Sequence, residues 1–123
     1  MTSGSGKVRV DQQERVAVIT PHGDVDLNDL TEVVDSFAQV LSDASTDATL
    51  IDLSRMTFAD SVFLNQILVT FSGHALKRRP LLLCGPLQPD VYRLLHVTGA
   101  DTVLPFVATR LDGLRQLRAP GTV

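Results

Sequence analysis

The chain has 123 residues, of which 44% are hydrophobic and 20% charged, with one cysteine and a formal net charge of −3. That length fits one domain able to bury roughly two-thirds of its unfolded surface. It argues against a disulfide scaffold, and with no apolar run of spanning length it argues against membrane insertion; the charge argues against direct nucleic-acid binding.

Read in chain order, the polar start Met1-Thr2-Ser3-Gly4-Ser5-Gly6 lacks a signal-peptide core, and residues 1–7 are expected to form a flexible tail. The domain is expected over 8–118, with a second tail over 119–123. Val8 and Val10, then Val16-Ala17-Val18-Ile19, predict an antiparallel pair. Gly23 breaks the chain, and Val25-Asp26-Leu27 is expected to extend the second strand's pairing after a bulge. Asp29 and Glu32 have the spacing of a capping box. Leu30, Val33, Val34, Phe37 and Leu41 then recur at helical spacing on one face.

Residues 48–53 form a compact apolar run, the pattern of a buried central strand. A second helix is predicted over 61–77, and Pro80 opens another apolar strand ending at Gly85-Pro86. Its Cys84 reads as a buried thiol, and a lone cysteine fits a reducing, cytoplasmic setting. Pro89 suits the first turn of a third helix, with Val91, Leu94 and Leu95 inward and Gly99 as its stop. Val103-Leu104 is predicted as a short strand. Thr109 and Asp112 resemble a capping box for a last helix that turns Leu111, Leu114 and Leu117 inward. This order predicts a single α/β domain: a mixed β-sheet with about four helices, an antiparallel edge and a partly parallel centre. Residues 48–53 and 80–84 are expected to be adjacent strands joined through the 61–77 helix.

Charge is unevenly placed. Residues 1–60 hold 11 acids and four bases, a net of −7, whereas 61–123 hold three acids and seven bases, a net of +4. The run Lys77-Arg78-Arg79 closes the predicted second helix, where cations favour the dipole and the last carbonyls. No aromatic residues interleave with it to form a base-stacking surface. His22, His74 and His96 show no metal-ligand spacing, with one another or with Cys84, and are expected at the surface or partly buried. Phosphate-binding glycine loops and a nucleophile elbow are missing. The expectation is therefore a non-enzyme without metal or cofactor.

The informative segment is Ile51-Asp52-Leu53-Ser54-Arg55-Met56-Thr57-Phe58-Ala59-Asp60-Ser61, which joins a buried strand to a helix. Asp60 and Ser61 fall where that helix begins, among free N–H groups and the positive end of the dipole. Such an end accommodates an anion, including a phosphate on Ser61. Asp and Ser are also preferred N-cap residues whatever the function.

With these residues in register, the chain resembles the STAS family, of the bacterial anti-sigma-factor antagonist type. Asp52-Leu53-Ser54, Phe58 and Asp60-Ser61 match that family's strand-to-helix segment, and Gly23-Asp24-Val25-Asp26-Leu27 matches its Gly-Glu-Ile-Asp motif. Leu82-Leu83-Cys84-Gly85, Leu94-Leu95, Thr98-Gly99 and Val103-Leu104-Pro105 follow its second half. The resemblance implies partner switching. The unmodified antagonist binds an anti-sigma factor, often a serine kinase using ATP and magnesium, and so frees a sigma factor. Phosphorylation at the serine corresponding to Ser61 breaks the complex, and a phosphatase restores it. Val62 and Phe63 depart from the family's usual Ser/Thr-Gly, and Phe63 is expected to add bulk beside Ser61. That departure favours an alternative, a non-phosphorylated STAS scaffold or transporter-associated subunit.

On the second helix, Leu64, Ile67, Leu68, Phe71 and Ala75 form the expected core face. Val62, Val69 and Leu76 lie nearly opposite, with Asn65, Gln66 and Gly73 between. The expected partner-binding set is Asp24, Asp26, Asp60, Ser61, Val62, Asn65, Gln66 and Val69.

Overall fold

A computed structural model describes residues 6–118, so residues 1–5 and 119–123 of the two expected tails lie outside the described residues. The described residues form seven strands and four α-helices. They are β1 (Val8–Gln13), β2 (Val16–Pro21), β3 (Gly23–Val25), α1 (Leu30–Ser42), β4 (Ala48–Asp52), β5 (Met56–Ala59), α2 (Ser61–Leu76), β6 (Leu81–Cys84), α3 (Pro89–Val97), β7 (Phe106–Val107) and α4 (Arg110–Arg118).

The main sheet has the order β1-β2-β4-β6-β7. β1 and β2 pair antiparallel, and the other three pairings are parallel. The expected mixed sheet with an antiparallel edge and parallel centre is therefore what the chain forms. β4 and β6 are neighbours, in the register Thr49↔Leu81 through Asp52↔Cys84, and α2 lies in the connection between them.

Alternation along the strands explains why both faces are apolar. Ala17, Ile19, Ile51, Leu81 and Leu83 join Phe37, Phe63, Ile67 and Leu95 in the larger core. Val16, Val18, Leu50, Leu82 and Cys84 point the other way, onto Leu114 and Leu117 of α4. A parallel sheet covered on both sides needs such continuous apolar strands. Gly113 allows α4 to come this close: a Cβ there would stand 2.6 Å from Leu50 Cδ1.

Several local expectations are corrected. Residues 56–59 form a strand that the sequence does not announce. It pairs in parallel with β3 as a separate two-stranded ribbon, so 23–25 does not extend the pairing of β2. The Asp29/Glu32 capping box does not form. Asp26 and Asp29 instead cap a 3-10 turn at Leu27–Asp29 reciprocally, and Glu32 accepts from the backbone N–H of Lys7 and Val8, at 3.0 and 2.9 Å. Glu32 is drawn away because the strand edge at 7–8 offers two N–H donors to one carboxylate. Lys7, placed with the tail by the sequence boundary, is thereby tied to α1.

Val103 and Leu104 follow a 3-10 turn at Ala100–Thr102, and the last strand falls three residues later at Phe106–Val107. The left-handed backbone of Gly99 (φ +79°) starts that turn and sets its offset. Thr109 Oγ1 does accept from Asp112 N, at 3.1 Å. Leu111, however, faces solvent, because α4 lies on the sheet through Gly113 and Leu114.

On α2, Ala75 is exposed, and the buried stripe continues instead through Thr70 and His74. His74 is only 1% exposed, fully buried where a surface or partly buried position is expected of it. Its Nδ1 is 2.7 Å from the Thr70 carbonyl oxygen and its Nε2 is 2.8 Å from Thr49 Oγ1. Both ring nitrogens are thus satisfied, the condition for burying a polar ring. The Arg79 backbone N–H donates to His74 O at the end of α2, at 2.8 Å, but its side chain goes to the end of α1. Its Nη1 donates to Leu41 O at 3.2 Å and its Nη2 to Asp43 O at 3.1 Å.

Candidate functional site

Asp60 is the N-cap of α2. Its extended backbone (φ −101°, ψ 178°) lets Oδ1 accept from the N–H groups of Val62 and Phe63, both at 3.1 Å. Ser61 is the first helical residue and is exposed. The N–H groups of the next two residues are thus already taken by a carboxylate. The helix start is thus capped from within at these two donors, the local role for which Asp is a preferred residue.

The β3–β5 ribbon brings the two sequence motifs together. Asp24 lies opposite Phe58 and Val25 opposite Ala59, and Asp26 and Asp60 each follow directly on that last pair. Asp24 Oδ1 accepts from Thr57 Oγ1 at 2.6 Å, while the ammonium of Lys7 donates to the Asp24 carbonyl oxygen and stands 3.6 Å from Asp29 Oδ2. Asp26 Oδ1 accepts from Asn28 N at 2.9 Å. The two motifs therefore end together: β3 leads into Asp26, and β5 leads into Asp60 and the exposed Ser61. Thr57 and Lys7 order this end and were not singled out in the sequence. The alternation needed to read 56–59 as a strand is too short to show them.

Phe63 does not stand beside Ser61 as bulk. It is buried against Phe37, with ring centroids 6.3 Å apart. The helix turns it inward with Leu64 and Ile67, and Val62 is left half-buried. Asn65 and Val69 are exposed, Val69 by 57%, and Gln66 is half-buried. Val34, Phe37, Gln66, Val69 and Gly73 line a shallow groove between α1 and α2. On the other side of Asp60, Phe58, Leu94 and Val97 line an apolar groove of about 470 Å³, with Arg93 and Asp90 at its edge. Phe58 is 44% exposed despite its size.

The start of the same segment is structural. Asp52 is 3% exposed; its Oδ1 accepts from Ser54 N at 2.9 Å and its Oδ2 from Arg110 Nε at 2.8 Å. Burial works to raise its pKa, but the hydrogen bonds from Ser54 and Arg110 and the guanidinium charge together hold it below the usual carboxylate value. Beside it, Cys84 is pushed up to about 12 by burial and then by the Asp52 charge. A thiol so held is neutral at ordinary pH, as expected of a core cysteine. Among the described residues, no helix is long and apolar enough to cross a membrane.

A family model described as "Mlab, STAS domain" matches residues 8–108. Among solved structures, the chain is similar to an anti-sigma factor antagonist from Mycobacterium paratuberculosis. The identity is 27% and the TM-score 0.81, over 90% of this chain and 92% of that one. SpoIIAA in its unphosphorylated form shares the fold at 14% identity and a TM-score of 0.77, over 91% of this chain and 96% of that one. The Bacillus cell fate determinant SpoIIAA in its phosphorylated form shares it at 13% identity and 0.70, over 90% and 99%.

Proposed function

The chain belongs to the STAS domain family, and from that premise we propose that it is an anti-sigma-factor antagonist switched at Ser61. In this reading it binds an anti-sigma factor that is itself a serine kinase and so frees a sigma factor. The observation that carries the proposal is the exposed Ser61 at the first position of α2, next to its N-cap Asp60 and just beyond the β3–β5 ribbon that joins the two motifs. The similarity to an antagonist at 27% identity supports the same role.

The chemistry of the switch follows from the cap. A phosphate on Ser61 adds about −1.5 to −2 charges at pH 7. Asp60 already occupies the N–H groups of Val62 and Phe63, so the new charge gains no free capping donors there. It adds instead to an acidic surface. A partner docked over Ser61 meets repulsion and the cost of desolvating the phosphate, while the domain keeps its fold. The docking face continues along Val62, Asn65, Gln66 and Val69. A phosphatase resets the switch, and the cycle runs in the cytoplasm without nucleic acid as a direct ligand.

The test is affinity capture from the native cell with phosphosite mapping of the recovered protein. A kinase-like partner and modification at Ser61 support the proposal. A membrane ATPase partner with Ser61 unmodified would favour the second reading, a non-phosphorylated scaffold or transporter-associated subunit. Val62 in place of the family's usual second hydroxyl residue is the observation on that side.

A further inference from the structure

The second face of the main sheet carries a polar cleft that the Ser61 proposal leaves unused. α4 packs against β4, β6, β2 and β7, and the β1 side of this face stays open. The cleft there encloses about 620 Å³, beyond the carboxyl ends of β2 and β4.

Its charge is convergent and only partly answered. Arg9, Arg55 and Arg110 line it together with His22. Arg9 Nε is 3.0 Å from Asp11, and Arg110 is fixed by Nε on Asp52 and by Nη2 on Thr20 Oγ1 at 2.9 Å. Asp52 in turn is held by the Ser54 N–H, so Arg110 is a rigid guanidinium whose Nη1 has no partner among the described residues. The side chains of Arg55 and His22 likewise show no hydrogen bond or ion pair among the described residues. Three guanidiniums thus stand against two carboxylates, each carboxylate already engaged by an arginine. Unpaired surface arginines are usually only solvated. Here one free arginine and an imidazole flank an arginine that two partners hold in place, an arrangement preorganised for an oxyanion.

We propose that this cleft binds the phosphate group of a small molecule, with Arg110 and Arg55 engaging its oxygens and His22 beside them. Planar guanidinium forks match phosphate oxygens two at a time, which a lone lysine does not do. The volume leaves room for a substituent on the phosphate. The site is separate from Ser61 and does not depend on the switch.

Amide-resolved NMR titration of the full chain tests this, with inorganic phosphate and glycerol 3-phosphate as probes and sodium chloride at matched ionic strength as the control. Saturable shifts confined to the amides of Thr20, His22, Gly23, residues 52–55 and Arg110 are expected with both probes. Tighter binding of glycerol 3-phosphate identifies a phosphorylated small molecule as the source, whereas equal or tighter binding of inorganic phosphate identifies the free ion. Arg55→Ala should weaken the binding about tenfold. It should leave the rest of the spectrum unchanged, because the Arg55 carbonyl, not its side chain, holds Gly23. Shifts that grow linearly, shifts reproduced by chloride, or an unchanged affinity in Arg55→Ala overturns the proposal.

Discussion

Val25 lies opposite Ala59 in the parallel β3–β5 ribbon, and this last pairing is followed by Asp26 on one strand and by Asp60 and Ser61 on the other. Two segments more than 30 residues apart thereby end together at the head of α2. Ser61→Asp should therefore weaken binding of the captured partner by tenfold or more, about 1.4 kcal/mol or above. Ser61→Ala should bind as wild type and resist the kinase. Calorimetry with wild type, both variants and the phosphoprotein checks this; equal affinities throughout would remove Ser61 from the switch.

Asp60→Ala separates the cap from the charge. Removing the carboxylate frees the N–H groups of Val62 and Phe63 and should cost about 1 kcal/mol of stability. Urea unfolding measures it. Asp60→Asn retains a capping oxygen and should recover most of the loss.

Val69→Lys tests the docking face. Val69 is 57% exposed, so the charge reaches water and the cooperative unfolding transition should be kept. Partner affinity should fall. Unchanged affinity in a folded variant would move the interface elsewhere, for example to the groove lined by Phe58 and Val97.

Stability should depend on pH through His74. Burial lowers its pKa from the usual 6.5, more than the Thr70 carbonyl raises it, and the nearby Arg79 and Lys77 charges lower it further. The unfolded chain then binds more protons than the folded one as pH falls below about 6.5, so stability declines in that direction until the folded value is passed. Above pH 7 this effect is absent. Unfolding midpoints at pH 7.5 and 5.5 should differ in wild type and lie closer together in His74→Gln. A midpoint that rises on acidification would contradict the burial argument.

Arg110→Ala leaves Asp52 buried without its ion partner. Breaking a fully buried pair costs roughly 3–5 kcal/mol. Arg110 keeps 38% of its side chain in water and the Ser54 N–H remains, so a loss of about 2 kcal/mol is expected. Denaturant unfolding at pH 7 measures it, and a loss below about 0.5 kcal/mol would show that the pair does not secure α4.

The sequence by itself determined the central strands, because 48–53 and 81–84 are apolar on both faces and only a doubly covered sheet buries such runs. It also placed α2 and its cap, since an N-cap acts on N–H groups two and three residues away and is legible locally. Only the tertiary structure decided what the same residue types do at a distance. Glu32 serves the edge at Lys7 and Val8 instead of its own helix, and the Arg79 guanidinium serves the end of α1 instead of α2. Asp52 meets Arg110 across 58 positions, and His74 is buried because Thr49 comes to it from another strand. The four-residue β5 exists because β3 offers it a partner, and with it the pairing of Asp24 with Phe58 that joins the two motifs. Hydrophobic period and capping are local and can be read along the chain; hydrogen-bond partners are chosen among groups that only folding brings together.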